Sequence, residues 1–324
     1  MPSLKEIKTR IASVNSTRKI TSAMKMVASS KLHHAQVMIQ NMLPYEDLLE
    51  RILKSFLSSE ADAQTVFSLE RPVKRVALIV YASNSSLCGG FNTNVIKMMQ
   101  QAIEEYKSLG NDNILIYPIG RRIAEKVAKL GLKSGGSFLE LADKPNSSQC
   151  IDIAKDIMDK FNKGELDRVE MIYHHFKSAG SQVLTRRTFL PIDLSEDFTA
   201  DNDRDLSSNV VTAKAQEYLR KKKSKEYQSG ESVPLNDDFI VEPDLKTVLN
   251  ELIPKMLHLM VYTALLDSNA SEHAARMVAM QTATDNADEI LRSSTCSTIR
   301  VVSRLLPMNC LISLEVLSTT RTFS

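Results

Sequence analysis

Residues whose types could do chemistry fall in four places. The first is residues 84–94, NSSLCGGFNTN, which join a glycine pair to a cysteine and three asparagines. A loop between an expected strand and an expected helix is where phosphates are often held. Yet the stretch is neither G-x-G-x-x-G nor G-x-x-x-x-G-K-[ST], so Gly89 and Gly90 read better as a tight turn. Cys88 lies beside them, but the sequence places no histidine or acid to activate it, and a small buried hydrophobe is the better reading. The pairs His33–His34 and His174–His175 suggest a metal, but neighbours in sequence point to different faces and no third ligand is suitably spaced. RKKKSK at 220–225 could meet phosphates or lipid headgroups, though with acids on both sides it reads equally as solvated charge. Neither a catalytic group, a cofactor nor a metal is expected.

The bulk properties narrow the class. The 324 residues are 43% hydrophobic and 25% charged, an ordinary soluble composition. Forty-one basic residues face thirty-nine acidic ones, so bulk charge gives nucleic-acid binding no support. Cys88, Cys150, Cys296 and Cys310 form no C-x-x-C pair, which fits a reducing compartment. The start, MPSLKEIKTRIASV, has no apolar core of a secretory signal, and VALIVYA at 76–82 is far too short to span a membrane. Any attachment to a membrane is expected through partners.

Positioning is the work of three regions. Leu4, Ile7, Ile11, Val14, Thr21, Met24, Ala28, Ala35, Ile39 and Met42 recur at threes, fours and sevens. That is the pattern of a helix with one packing seam. It predicts a helix over about 1–57, kinked or restarted at Pro44. Residues 4–43 alone would run roughly 60 Å. Such a helix cannot bury its stripe alone. Residues 244–291 supply a partner, also without glycine and bent at Pro254, with a seam through Leu245, Val248, Leu252, Met256, Leu259, Leu266, Ala270, Ala274, Met277 and Thr284. The two ends are expected to pair as a long antiparallel two-helix coiled coil.

Between them, residues 70–192 alternate strand and helix patterns. Strands are expected at 73–83, 113–120, 168–176 and, at an edge, 181–192; helices are expected at 92–109, 121–131 and 147–164. This is a central α/β domain with a doubly wound, mainly parallel sheet. Residues 193–243 read as a polar surface excursion.

Three stretches taken together resemble the gamma subunits of F-type ATP synthases, bacterial type: LKEIKTRIASVNSTRKITSAMKMVASSKL, SLCGGFNTNV and SNASEHAARMVAMQTATDNA. Their order and spacing match. SNSS stands where the family carries an acid and an arginine before LCGG. The resemblance implies a non-catalytic rotor whose coiled coil threads a hexamer of alpha and beta subunits. Its α/β foot would rest on the membrane ring of c subunits beside the epsilon subunit, at the cytoplasmic face of the cell membrane. Ion-driven rotation would then be coupled to ATP synthesis. By motif match, Met24 and Arg276 would face an acidic lever of a beta subunit, with Lys19, Lys25 and Met280 as companion contacts. Leu87, Cys88, Gly89, Gly90 and Asn92 would form the foot motif. The rival readings are a doubly wound nucleotide-binding enzyme and a coiled-coil scaffold for other partners.

The tail departs from the resemblance. The family ends in a pattern like Y-N-x-x-R-Q-x-x-I-T-x-E-[IL]-x-[ED]-I-V-x-G-A, and residues 292–324 do not contain it. Methionine has one codon and asparagine two. Reading one nucleotide earlier across Met308–Asn309 forces glutamate, and across Asn309–Cys310 it forces leucine. Continued from Cys296 to Leu317 with permitted codons, the displacement spells QYNKSRQQAITNELLDIVGGA. The tail is therefore read as frame-displaced, with the last helix expected to fade soon after Leu291.

Overall fold

VALIVY offers no polar side chain but the tyrosine hydroxyl, and as β1 (Val76–Tyr81) it is buried along its whole length. The computed structural model describes residues 4–59, 66–192, 242 and 245–305. Most of the 193–243 excursion, with its RKKKSK run, and the tail from 306 lie outside the described residues.

Around β1 the sheet runs β3-β2-β1-β4-β5. β2 is Ile114–Ile119, β3 Lys133–Ser134, β4 Arg168–Ser178 and β5 Ser181–Leu190. The first four are mutually parallel where paired; β5 folds back antiparallel on β4 as a hairpin edge. The expected mainly parallel sheet is therefore present. Two-residue β3 and the short helix α4 (Leu139–Asp143) are additions too brief to leave a periodic signal.

Strand alternation divides the core. From β1, Val76, Leu78 and Val80 face Val95, Met99 and Ala102 of α2 (Phe91–Glu105) and Ile123 and Val127 of α3 (Arg121–Lys129). Ala77, Ile79 and Tyr81 face the other way, toward Ile153, Ile157 and Phe161 of α5 (Ser147–Asn162). The same cluster takes in Leu49 and Leu53 of α1 (Leu4–Ser59) and Leu257, Val261 and Leu265 of α6 (Leu245–Leu305). The long helices thus cover one face of the sheet themselves. At about 1.5–3 kcal/mol per fully buried large aliphatic side chain, either face outweighs any single polar contact described below.

Both terminal helices run through their prolines, Pro44 and Pro254, as single elements. The described residues fall into two compact units. One lies within residues 28–276, just described; the other joins residues 4–27 to 277–305. In the second unit the helices lie antiparallel: Thr21 and Thr284 share a hydroxyl–hydroxyl hydrogen bond of 2.8 Å, and Arg18 meets Asp288 at 2.9 Å. Rising numbers on one helix meet falling numbers on the other.

The expectation that α6 fades after Leu291 is corrected: the helix continues to Leu305. The hydroxyls of Ser293 and Thr295 fold back on the carbonyls of Ile290 and Leu291, satisfying themselves within the helix. β-branched residues cost a helix only tenths of a kcal/mol each. The first strong breaker is Pro307, outside the described residues.

Candidate functional site

The loop after β1 is held by its own asparagine. Asn92, in the first turn of α2, accepts from the Ser83 amide at 3.0 Å. It donates to the Ser83 hydroxyl at 2.8 Å, the Ser85 carbonyl at 3.3 Å and the Cys88 sulfur at 3.1 Å. Leu87 and Gly89 adopt positive φ, 68° and 58°. For Gly89 that conformation is cheap, whereas Leu87 pays for it on a side chain left exposed. Cys88 is buried as expected, and Phe91 stacks on His174 with ring centroids 4.3 Å apart. Leu87, Cys88, Gly89, Gly90 and Asn92 thus do come together, as a structural joint. The amide of Asn92 is committed to the loop itself.

Three of the four residues of SNSS reach other elements. Ser83 binds Asn92, while Asn84 donates to the Leu139 carbonyl and to Asp143, both at 2.7 Å. The Asn84 side-chain oxygen accepts from the Arg121 amide at the start of α3. Ser85 accepts from Arg276 of α6 at 2.7 Å.

The middle of α6 is the part that sequence reasoning missed. Asp267, Ser268, Asn269, Ser271, Glu272 and His273 are all buried. His175 Nδ1 meets Asp267 Oδ2 at 2.9 Å, Asn269 donates to the Ala142 carbonyl, and Ser271 donates to the His174 carbonyl. Tyr81 donates to the Val261 carbonyl, and burial raises its hydroxyl pKa well above the ordinary value. Burial alone lowers His174 to about 4; burial, helped by Arg276 and Lys31, does the same to His273. Both rings are therefore neutral near pH 7. Six polar residues within seven positions of a seam that is otherwise apolar was the available signal.

Arg276 is placed differently from its expected outward role. Its guanidinium pairs with Glu272 at 2.8 Å and with Ser85, leaving the side chain 16% exposed. Met280, expected at a partner contact, is likewise buried, at 5% exposure on the packed face of its unit. Met24 does face outward, at 41% exposed, with Ile20, Met26 and Val27 still more open. Lys19 is exposed and Lys25 half-buried. The structure therefore groups Lys19, Met24 and Lys25 on one helix and sets Arg276 and Met280 inward.

Among the described residues no group of acids, histidines and cysteines could hold a metal, and no helix is long and apolar enough to cross a membrane.

Comparisons with known proteins agree with this arrangement. A family model described as ATP synthase matches residues 3–301. The ATP synthase gamma chain of Phocaeicola vulgatus is 50% identical over 295 residues, covering 91% of this chain and 92% of that one. That of Parabacteroides distasonis is 39% identical over 295 residues, covering 91% of each. Among solved structures, the rotor of the Euglena gracilis mitochondrial ATP synthase shares the fold at TM-score 0.58 and 18% identity, over 94% of this chain and 99% of that one. The central stalk of the Tetrahymena thermophila enzyme does so at TM-score 0.54 and 24% identity, over 82% and 99%. A paired-helix unit and a parallel-sheet α/β unit, each containing part of both long helices, are the fold shared with these solved structures. The chain belongs to the ATP synthase gamma chain family.

Proposed function

We propose that this chain is the rotating central shaft of an F-type ATP synthase. It couples ion-driven rotation to ATP synthesis at alpha and beta subunits without catalysing a step itself. The observation that carries the reading is the outer face of the helix pair. Ile20, Met24, Met26 and Val27 remain exposed on a helix whose opposite side is packed. Over residues 4–27 the charged residues are Lys5, Lys8, Arg10, Arg18, Lys19 and Lys25 against Glu6. Shallow apolar contacts with surrounding positive charge suit a surface that slides past acidic loops, since no deep anchor must be pulled out at each step. Coupling needs only that the shaft favour different partner conformations at different angles.

In this reading Lys19, Met24 and Lys25 meet the beta subunits, and the α/β unit rests beside the epsilon subunit on the ring of c subunits. The chain is peripheral, reaching the cytoplasmic face of a bacterial membrane through those partners. Purification of the tagged chain from native membranes tests this directly. Alpha, beta, epsilon and c subunits are expected to come with it; recovery of the chain alone refutes the assignment.

A further inference from the structure

We infer that Glu272, Arg276 and Ser85 form a proton-operated latch between α6 and the loop following β1. The inference rests on the shaft reading for its purpose but on the α/β unit alone for its geometry. Arg276 reaches sideways from α6, donating to Ser85 at 2.7 Å and pairing one helical turn back with Glu272 at 2.8 Å. Its Nη1 also lies 3.4 Å from His273 Nδ1. The loop it grips is the one fixed to α2, α3 and α4 by Ser83 and Asn84. One side chain therefore ties α6 to the joint of the foot.

What keeps Arg276 in place is a carboxylate with little water, since Glu272 is 5% exposed. Burial raises its pKa, and Asp143 of α4 pushes in the same direction. Arg276 on its own helix and Lys31 of α1 oppose the rise. His273, the remaining titratable neighbour, is neutral near pH 7. When Glu272 takes a proton, Arg276 loses the anion it is paired with; Asp143, the other anion of this set, is engaged by the Asn84 amide. The guanidinium is then free to leave Ser85 and turn outward, where the sequence resemblance expects it.

Opening does not unfold the chain. A carboxyl whose folded pKa lies above its unfolded value makes the folded state more stable as pH falls through that range. The ionised form is the one held at a cost, which is what a two-position element requires.

Cys88 provides the readout. It is buried in the same loop, while Cys296 on the other unit is exposed and serves as an internal reference. Thiol labelling of the full chain with iodoacetamide is measured from pH 5 to 8, each Cys88 rate being divided by that of Cys296. In the parent chain the ratio should rise on acidification by on the order of tenfold, the effect of losing one charge-assisted hydrogen bond. Glu272→Gln should show the raised ratio at every pH. Ser85→Ala should raise it at neutral pH while leaving Glu272 able to titrate. A Glu272→Gln chain as protected as the parent, or one that keeps the parent's pH dependence, overturns the latch. So does Ser85→Ala with no effect at neutral pH. Failure of the shaft reading would leave these labelling results unchanged and would appear only in co-purification.

Discussion

Replacing Asn92 by alanine removes the fastener of the loop after β1, and its cost can be worked from the contacts. The Ser83 amide donates to Asn92 Oδ1 at 3.0 Å, and Ser83 is fully buried. Without that acceptor a buried N–H is left unpaired, at a cost of about 1–3 kcal/mol. The 2.8 Å hydrogen bond from Asn92 Nδ2 to the Ser83 hydroxyl adds about 1 kcal/mol. Asn92→Ala should therefore lose roughly 2–4 kcal/mol. For a unit of this size that lowers Tm by about 5–12 °C. Scanning calorimetry of the full chain measures it, following the transition of the α/β unit. Asn92→Asp keeps an acceptor for the Ser83 amide and puts a negative charge in the first turn of α2, so it should lose clearly less. A Tm for Asn92→Ala within about 2 °C of the parent, or equal damage from the two variants, would refute the reasoning.

Gly120→Ala should be more severe, because a Cβ there would lie 2.1 Å from the Ala82 carbonyl oxygen at φ of 102°. Loss of soluble chain on expression, or a Tm drop exceeding that of Asn92→Ala, is the expected outcome. His174, held down at about 4 by burial, ties stability to pH. As pH falls from about 6.5 to 4 the unfolded chain binds the proton first, so up to about 3 kcal/mol is lost. His174→Phe, which keeps an aromatic ring against Phe91, should flatten that part of the urea-midpoint profile. Resequencing the gene across codons 285–300 should reveal a one-nucleotide displacement. A clean read in the present frame, with codons unable to spell the ending QYNKSRQQAITNELLDIVGGA, rules it out.

The elements legible in advance were those with sustained periodicity. The long helices, β1, β2 and the hairpin of β4 and β5 all lie where hydrophobic spacing put them. Burial of Ala28, Ala35, Ile39, Ala270 and Ala274 follows the two seams. Met24 was placed on a seam by the same counting and is exposed, because a seam defined by every third or fourth residue is wider than the true contact. The joint around Asn92 was visible as a motif, but not its hydrogen bonds, which depend on the positive φ of Leu87 and Gly89. Arg276 and Met280 were assigned outward by resemblance. The partner that turns Arg276 inward, Ser85, is 191 residues away in sequence, beyond any local rule. The continuation of the helix past Leu291 escaped because Thr295 was weighed as a β-branched residue without its back-bonding hydroxyl.

Rotation itself tests the central claim most directly. The assembled complex would be fixed to a surface through its beta subunits. A bead would be attached to the α/β unit at Asp112→Cys, a position whose native side chain is 91% exposed. With ATP supplied, the bead is predicted to turn in one direction with three pauses per revolution, one for each beta subunit. ATP hydrolysis at full rate with a stationary bead would contradict the account.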